Sequence, residues 1–320
     1  MSLRTILNRQ KNKVKDSIQR RAAKKDQLHT LTYEAIVASL SKLGWQEKES
    51  LFLQLRKQLS ETGESISYAE KIFNSFSGVC REYCGKLEGL RILELGPGTN
   101  LAAGVYFVLA GVSDYTAVDA LAAFPERPKE FYTNLIDELR NRPQLVGRAS
   151  IPEEVMNEIL TINESVGWNE KKVKYVTPVY AERMPFQTGE FDFIYSNASF
   201  EHFEEPQKVI REIHRVLKSG GFTAHVIDLR DHIDFNKPLE FLKFSPEKYV
   251  FTSPYGTNRW RASDFEKAFR EAGLEIRKFV TNETWDITDE EYKNFDPFFR
   301  EKYTREDLSI LGVTVIARKP

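Results

Sequence analysis

Short apolar runs alternate with segments of helical period from about residue 90 to the end of the chain. The runs are rich in β-branched and aromatic residues, and three of them stop at a glycine or an acid. This alternation predicts an α/β, Rossmann-like, doubly wound fold with a mostly parallel, seven-stranded sheet. The predicted strands are 91–95, 115–118, 173–177, 191–195, 222–227, 274–280 and 311–317.

The first part of the chain has a different pattern. Up to a break at Gly63, apolar residues keep helical spacing among many charged residues. We therefore expect a helical N-terminal extension over residues 1–65. A helix starting near Tyr68 then leads into one domain over residues 66–320.

Two connections are longer than a crossover helix needs. They are an insertion at 121–172, after the second predicted strand, and a loop at 229–262, after the fifth. Ligands of doubly wound folds bind at the carboxyl ends of the strands, which is where both connections begin. We expect helical cap insertions over a substrate site there.

Charge is distributed unevenly between the two parts. Residues 1–25 carry nine Lys or Arg against one acid, and the remaining chain carries 37 basic against 46 acidic residues. An acidic body argues against a nucleic-acid-binding protein. The basic arm leaves three interpretations open: a solvated helix, peripheral attachment to an anionic membrane surface, or docking to a partner enzyme or substrate carrier.

Composition excludes several other classes. Apolar residues make up 41% of the 320 residues, as in an ordinary globular protein, and no apolar stretch is long enough to cross a bilayer. The N-terminal residues lack the apolar core of a secretory signal, so a cytoplasmic protein is expected. Cys80 and Cys84 are expected to be reduced thiols on one helix face, and no cluster has metal-ligand spacing.

The sequence around the first predicted strand indicates a ligand-binding turn. Glu94 is followed by Gly96 and Gly98, and glycine allows the backbone to turn tightly and approach a ligand. A dinucleotide fingerprint would place a third glycine where this chain has Leu101. The Glu94 carboxylate is also unfavourable beside a pyrophosphate, but it favours a cationic sulfonium with its amino group.

This turn and two later segments resemble the class I S-adenosylmethionine (SAM)-dependent methyltransferases. The later segments are YAERMPFQTGEFDFIYSNASFEH, residues 180–202, and the stretch from Glu205 to Gly221. The resemblance covers residues 88–228 and is strongest for the subgroup that methylates small molecules, sugars and lipids. It implies SAM as the cofactor and S-adenosyl-L-homocysteine as the product.

The resemblance also implies roles for individual residues. Asp119 and Ala120 would bind the ribose, the loop after the third strand would face the adenine, and the end of the fourth strand would lie beside the methionine moiety. The expected cofactor-binding residues are Glu94, Gly96, Gly98, Asn100, Asp119, Ala120, Ala181, Glu182, Met184, Asn197 and Ala198.

Polar residues at the ends of the fourth and fifth strands suggest the substrate side. His202 would face the methyl group, either as a general base or as a positioning residue, and His232 is the second candidate base. Acids, Arg and His together suit a hydroxyl-rich or charged substrate. The expected substrate-binding residues are Asp228, Arg230, Asp231 and Arg259.

The sequence therefore predicts O-methylation of a polar small molecule, sugar or glycan. Two alternatives stay open at this level. A nitrogen methyltransferase would share every cofactor motif and need no base. A protein that binds SAM without turning it over could serve as a scaffold or regulator.

Overall fold

The computed structural model describes residues 66–98, 101–120, 129–160, 172–247, 249 and 257–320. The predicted extension 1–65, with its basic residues 1–25, and the expected cofactor residue Asn100 lie outside these ranges. Residues 121–128 and 161–171 of the first insertion lie outside them too, as do residues 248 and 250–256 of the second loop. Within the described part, no helix combines the length and apolar character needed to cross a membrane.

Seven strands form one sheet within the described residues, in the order β3-β2-β1-β4-β5-β7-β6. Only β7 runs antiparallel to its neighbours, β5 and β6. The predicted mostly parallel, doubly wound sheet is therefore confirmed. The strands are β1 Arg91–Leu95, β2 Asp114–Val118, β3 Val173–Val176, β4 Phe191–Asn197, β5 Leu217–Asp228, β6 Glu275–Thr284 and β7 Ile310–Arg318.

The fifth strand begins earlier than predicted. It was expected to start at residue 222, but β5 already begins at Leu217. The β4–β5 register passes from Phe191↔Leu217 to Phe193↔Phe222, so β5 carries extra residues there. Backbone bonds between Gly220, Gly221 and Lys319 hold these residues beside the end of the chain.

Helices cover both faces of the sheet. The first one continues into a π-helical turn, Cys80–Cys84, which ends at Gly85, and both cysteines carry free thiols as expected. The helices are α1 Ile66–Val79, α2 Ala102–Leu109, α3 Lys129–Asn141, α4 Glu153–Leu160, α5 Pro206–Val216, α6 Ala262–Glu271, α7 Asp289–Asn294, α8 Pro297–Lys302 and α9 Arg305–Ser309.

Alternate residues of β1 belong to two different hydrophobic cores. Ile92 packs with residues of α1, α2 and α3 on one face. Leu93 and Leu95 pack with residues of α5 and α6 on the other face. This follows from the period of two along a strand, and it gives the three layers of a doubly wound fold.

A third core lies outside these layers and forms what we call the cap, residues 229–247 and 285–309. Leu239, Phe241 and Leu242 pack there against Phe295 and Phe299, among other residues. The Asp296 N–H donates to the Leu242 carbonyl at 2.9 Å and joins the two segments. The loop after β5 was expected to contribute to a cap, but the segment between β6 and β7 was not anticipated.

Candidate active site

The carboxyl ends of β1, β2, β4 and β5 meet at one edge of the sheet. These strands are parallel, and their registers pair Leu95 with Val118 and Asn197 with Val226. Because parallel strands end together, the polar residues that follow them share this edge. Most of the expected site residues in the described part lie here or in the loops that leave it.

Gly96 makes the turn after β1 in a left-handed backbone conformation that favours glycine. Its φ is +67°, and its N–H donates to the Val118 carbonyl at 2.9 Å. A Cβ on Gly96 would lie 2.6 Å from the Ser199 Oγ. Gly98 follows with φ +78°. The two glycines therefore leave the backbone at this edge without side-chain cover.

Glu94 is held by two tyrosines that were not anticipated from the sequence. Its carboxylate is buried, and it accepts a hydrogen bond from the Tyr115 hydroxyl. The Tyr115 and Tyr195 hydroxyl oxygens lie 2.7 Å apart. Burial, together with the Glu94 charge, raises the pKa of both tyrosines. Both phenols therefore stay protonated and available to hold the carboxylate.

Asp119 and Ala120 follow β2, and both are half-buried. The backbone of Asp119 is fixed on both sides, because its N–H donates to the Val176 carbonyl at 3.4 Å and its own carbonyl accepts from Val179 at 2.9 Å. The carboxylate therefore starts from a rigid strand end. Such a carboxylate can accept two hydrogen bonds from neighbouring hydroxyls.

The loop after β3 brings Ala181 and Met184 into buried positions and leaves Glu182 half-buried. Burial raises the pKa of Glu182. The Met184 N–H donates to Glu212 at 2.8 Å, and Arg215 donates to the Met184 carbonyl at 3.0 Å. This clamp from α5 was not predicted, because nothing in the local sequence of the loop points to it.

Asn197 and Ala198 end β4 at the same edge. The Asn197 side chain donates to the Tyr68 hydroxyl of α1 at 3.1 Å, so the first described helix reaches this site. Ala198 has φ +49°, an uncommon value for a residue with a Cβ. Its N–H donates to the Val226 carbonyl at 2.8 Å, which holds the chain there. Uncommon backbone conformations of this kind concentrate at functional sites.

Two histidines come together beyond β4 and β5. The His202 and His232 rings have centroids 5.0 Å apart. The His232 Nε2 also lies 3.5 Å from the Asp228 carboxylate. Arg230 forms a two-pronged ion pair with Asp228, with contacts of 2.8 and 2.6 Å. Glu201 completes this arrangement, which we call the Glu–His cluster: Glu201, His202, Asp228, Arg230 and His232.

The charges of the cluster influence one another. Burial alone would raise the pKa of Asp228, but the hydrogen-bonded Arg230 guanidinium and the nearby His232 ring bring that pKa well below its ordinary value. Asp228 is therefore ionised at neutral pH. Glu201 is 1% exposed, and burial raises its pKa well above the ordinary value. The cluster thus combines an ionised carboxylate with a carboxyl group that resists ionisation.

Two of the expected substrate residues have structural contacts in the cap. Asp231 is buried, and its carboxylate accepts the Ile233 N–H at 2.9 Å. The Arg259 guanidinium donates to the Phe241 and Phe244 carbonyls at 3.1 and 2.6 Å, and it lies 3.9 Å from the Tyr249 ring centroid. The Arg259 guanidinium is therefore bonded inside the cap and lies outside the Glu–His cluster, and its substrate role stays a prediction.

A third histidine, His225, lies on β5 and is part of the protein interior. It is fully buried, its Nδ1 lies 2.8 Å from the Ser196 hydroxyl, and its Nε2 lies 2.5 Å from the Thr223 hydroxyl. Burial lowers the pKa of His225 to about 3. The ring is therefore neutral near pH 7 and separate from the Glu–His cluster.

Residues 156–224 match a family model described as a methyltransferase domain. The match spans β3, β4, α5 and part of β5, but it does not include the glycine turn or Asp119. No curated protein sequence matches the chain.

Several solved structures are similar to this chain. A SAM-dependent methyltransferase from Mesorhizobium loti is 15% identical, with 75% of this chain and 96% of that chain covered and a TM-score of 0.42. One from Methanosarcina mazei is 18% identical, with 75% and 96% covered and a TM-score of 0.40. A geranyl diphosphate C-methyltransferase from Streptomyces coelicolor A3(2), bound to S-adenosyl-L-homocysteine, is 14% identical, with 77% and 78% covered and a TM-score of 0.44.

The strand order of the sheet and the family match over residues 156–224 agree with each other. Together they support a SAM-dependent methyltransferase, with SAM as its cofactor. The residues at the sheet edge fit this cofactor. The glycine turn leaves open backbone, the Asp119 carboxylate can accept ribose hydroxyls, and the buried Glu94 carboxylate suits a cationic ligand.

Proposed function

We propose that this SAM-dependent methyltransferase methylates an oxygen atom of a polar small molecule, sugar or glycan. The observation that carries the proposal is the Glu–His cluster, which places two histidines, an ionised carboxylate and an arginine at the sheet edge where the cofactor residues also end. An aliphatic acceptor would gain nothing from these groups, whereas hydroxyl or phosphate groups can hydrogen-bond to them.

In this proposal the cofactor is held by the residues that follow β1 to β4. Asp119 and Ala120 bind the ribose, Ala181, Glu182 and Met184 bind the adenine, and the remaining residues surround the methionine moiety. Bound SAM supplies an electrophilic methyl group on a sulfonium. The cofactor-binding residues in the described part are Glu94, Gly96, Gly98, Asp119, Ala120, Ala181, Glu182, Met184, Asn197 and Ala198.

The chain's own contribution to the reaction is positioning and removal of a proton. An in-line displacement needs the acceptor oxygen aligned and water excluded. His232 is suited to accept the proton of the hydroxyl, because the Asp228 carboxylate 3.5 Å away stabilises the charged ring that results. His202 faces the His232 ring and orients the acceptor, while Asp228 and Arg230 provide its polar contacts.

The cofactor assignment is tested by calorimetric titration of the full chain with SAM and with S-adenosyl-L-homocysteine. We expect Asp119→Ala to weaken binding by about 10- to 100-fold, because two hydrogen bonds to the ribose are lost. Asp114→Ala is the matched control, since Asp114 lies at the opposite end of β2 in an ion pair with Lys174. Equal affinities of the two variants would contradict the role of Asp119.

The acceptor assignment is tested by methyl transfer from SAM to a panel of hydroxylated and amino compounds. We expect product only from oxygen acceptors, and kcat about 100-fold lower in both His202→Ala and His232→Ala. Methylation of amines that is unaffected by either substitution would favour nitrogen transfer. Full activity of both variants on a hydroxyl acceptor would remove the two histidines from the mechanism.

A further inference from the structure

Three side chains of the Glu–His cluster, among them the two histidines of the proposed reaction, also offer a set of metal-ligand atoms. One ligand atom from each of Glu201, His202 and His232 lies within 4.8 Å of the others. The Glu201 Oε1 and the His202 Nε2 are 4.0 Å apart. No metal was expected from the sequence, because His232 is about 30 residues from the Glu201–His202 pair and no local spacing connects them.

Two of these side chains carry a buried polar atom without the hydrogen bond that burial normally requires. The Glu201 Oε1 has no hydrogen-bond partner among the described residues, although Glu201 is 1% exposed. The buried His232 Nε2 likewise has no hydrogen bond within the described part of the chain. Leaving such groups without a hydrogen bond is unfavourable in a buried place, so a partner for both atoms is indicated.

The second oxygen of Glu201 already has a role in orienting the side chain. The Glu201 Oε2 accepts the Asp228 N–H at 3.5 Å, at the end of β5. Asn258 also fixes the short helical turn that carries Glu201 and His202, because its side chain donates to the Phe200 carbonyl at 2.8 Å and to the Phe203 carbonyl at 3.0 Å. The carboxylate is therefore directed toward the histidines by contacts outside the ligand set.

The donor types select a class of ion. Two imidazole nitrogens and one carboxylate suit Zn²⁺, Fe²⁺ or Co²⁺, whereas Mg²⁺ and Ca²⁺ prefer sites made of oxygen. A three-residue set leaves a coordination position open, as in catalytic zinc sites.

The geometry points to a divalent transition-metal site formed by Glu201, His202 and His232. The ion satisfies the Glu201 Oε1 and the His232 Nε2 and presents its open position to an oxygen ligand. Metal binding itself does not depend on the identity of the methyl acceptor. Its use in catalysis rests on the proposed function: a bound ion would lower the pKa of the acceptor hydroxyl, whose proton would then pass to solvent while the oxygen takes the methyl group.

The test is a titration of the metal-stripped 320-residue chain with Co²⁺, monitored by visible absorption, and with Zn²⁺, monitored by calorimetry. We expect one equivalent to bind to the wild type, and His202→Ala and His232→Ala to weaken binding by more than about 100-fold. His214→Ala is the matched control, because His214 lies on α5 and its backbone carbonyl accepts from Lys319. It should bind both ions like the wild type.

Glu201→Gln keeps the shape of the side chain and removes its charge, so it tests the site without truncating a histidine. SAM titration of every variant shows which proteins remain folded. Absence of Co²⁺ absorption and of Zn²⁺ heat in folded wild type would overturn the metal site, as would unchanged affinity in folded His232→Ala. Methyl transfer that persists in a chelator would then leave the proposed function intact. If the protein binds the metal but forms no O-methylated product, the proposed O-methylation is wrong and the metal site stands.

Discussion

At the residue scale, Gly96 needs to be glycine for two reasons, its left-handed backbone and the lack of space for a Cβ. A left-handed backbone costs a residue with a Cβ about 1–2 kcal/mol. At Gly96 the same Cβ would also lie 2.6 Å from the Ser199 Oγ and 3.0 Å from the Ser199 Cβ. Ser199 has little freedom to move, because it is buried and its hydroxyl donates to the Gly96 carbonyl at 3.3 Å.

We therefore expect Gly96→Ala to lower the free energy of unfolding by about 2–4 kcal/mol and to weaken SAM binding. Gly89→Ala provides the control, because Gly89 also has a positive φ, +77°, but no atom within 4 Å of its added Cβ. That variant should lose only about 1–2 kcal/mol and keep its SAM affinity. Urea unfolding and calorimetry measure both quantities. Similar losses in the two variants would show that the Ser199 contact is unimportant.

At the scale of elements, α2 approaches the sheet through Gly104. A Cβ there would lie 2.5 Å from the Tyr115 ring. The ring cannot move aside easily, because its hydroxyl is bonded to Glu94 and to Tyr195. The closeness of this helix to β2 therefore keeps the tyrosine pair in contact with the Glu94 carboxylate.

Gly104→Ala should reduce the free energy of unfolding by about 1–3 kcal/mol through overpacking, and it should weaken SAM binding by displacing Tyr115. Gly78 is a second helical glycine, exposed on α1, and a Cβ added there would have nothing within 4 Å. Gly78→Ala is therefore the control. Its higher helix propensity should stabilise the protein by about 0.5–1 kcal/mol. Denaturant unfolding of both variants distinguishes packing from propensity, and a stabilised Gly104→Ala would contradict the close approach.

At the scale of the whole molecule, Arg261 ties the cap to the sheet. This fully buried guanidinium donates to the Leu229 carbonyl at 2.9 Å and to the Leu308 carbonyl at 3.1 Å, and it also bonds the Ile310 carbonyl. Burial lowers the pKa of Arg261 to about 10, which still leaves it charged at neutral pH. One side chain thus joins the end of β5, the beginning of β7 and the N-terminus of α6.

Arg261→Met should lower the free energy of unfolding by about 3–5 kcal/mol, because three carbonyls lose a charged donor in a buried place. Arg270→Met, on the exposed side of α6 in an ion pair with Glu266, should cost no more than about 0.5 kcal/mol. Denaturant unfolding of the two variants measures the difference. A loss below about 1 kcal/mol for Arg261→Met would show that the carbonyls find other donors.

The sequence alone determined the sheet and the place of its ligand edge. Strand periodicity, the glycine turn and strand-end acids are local features, and local backbone preferences act within a few residues. The seven predicted strands are therefore all present, with ends that shift by up to five residues. The family match over residues 156–224 agrees with the long segment that carried the resemblance.

Only the tertiary structure decided which distant side chains meet. Tyr115 and Tyr195 contact Glu94 because the strand register places them beside it. Glu201 lies near His232 because of the path that the chain takes after β5. The sequence alone led to the expectation that Arg259 binds substrate, whereas the structure buries its guanidinium against carbonyls of the cap. Such contacts depend on the folding of segments far apart in the chain, which no local pattern records.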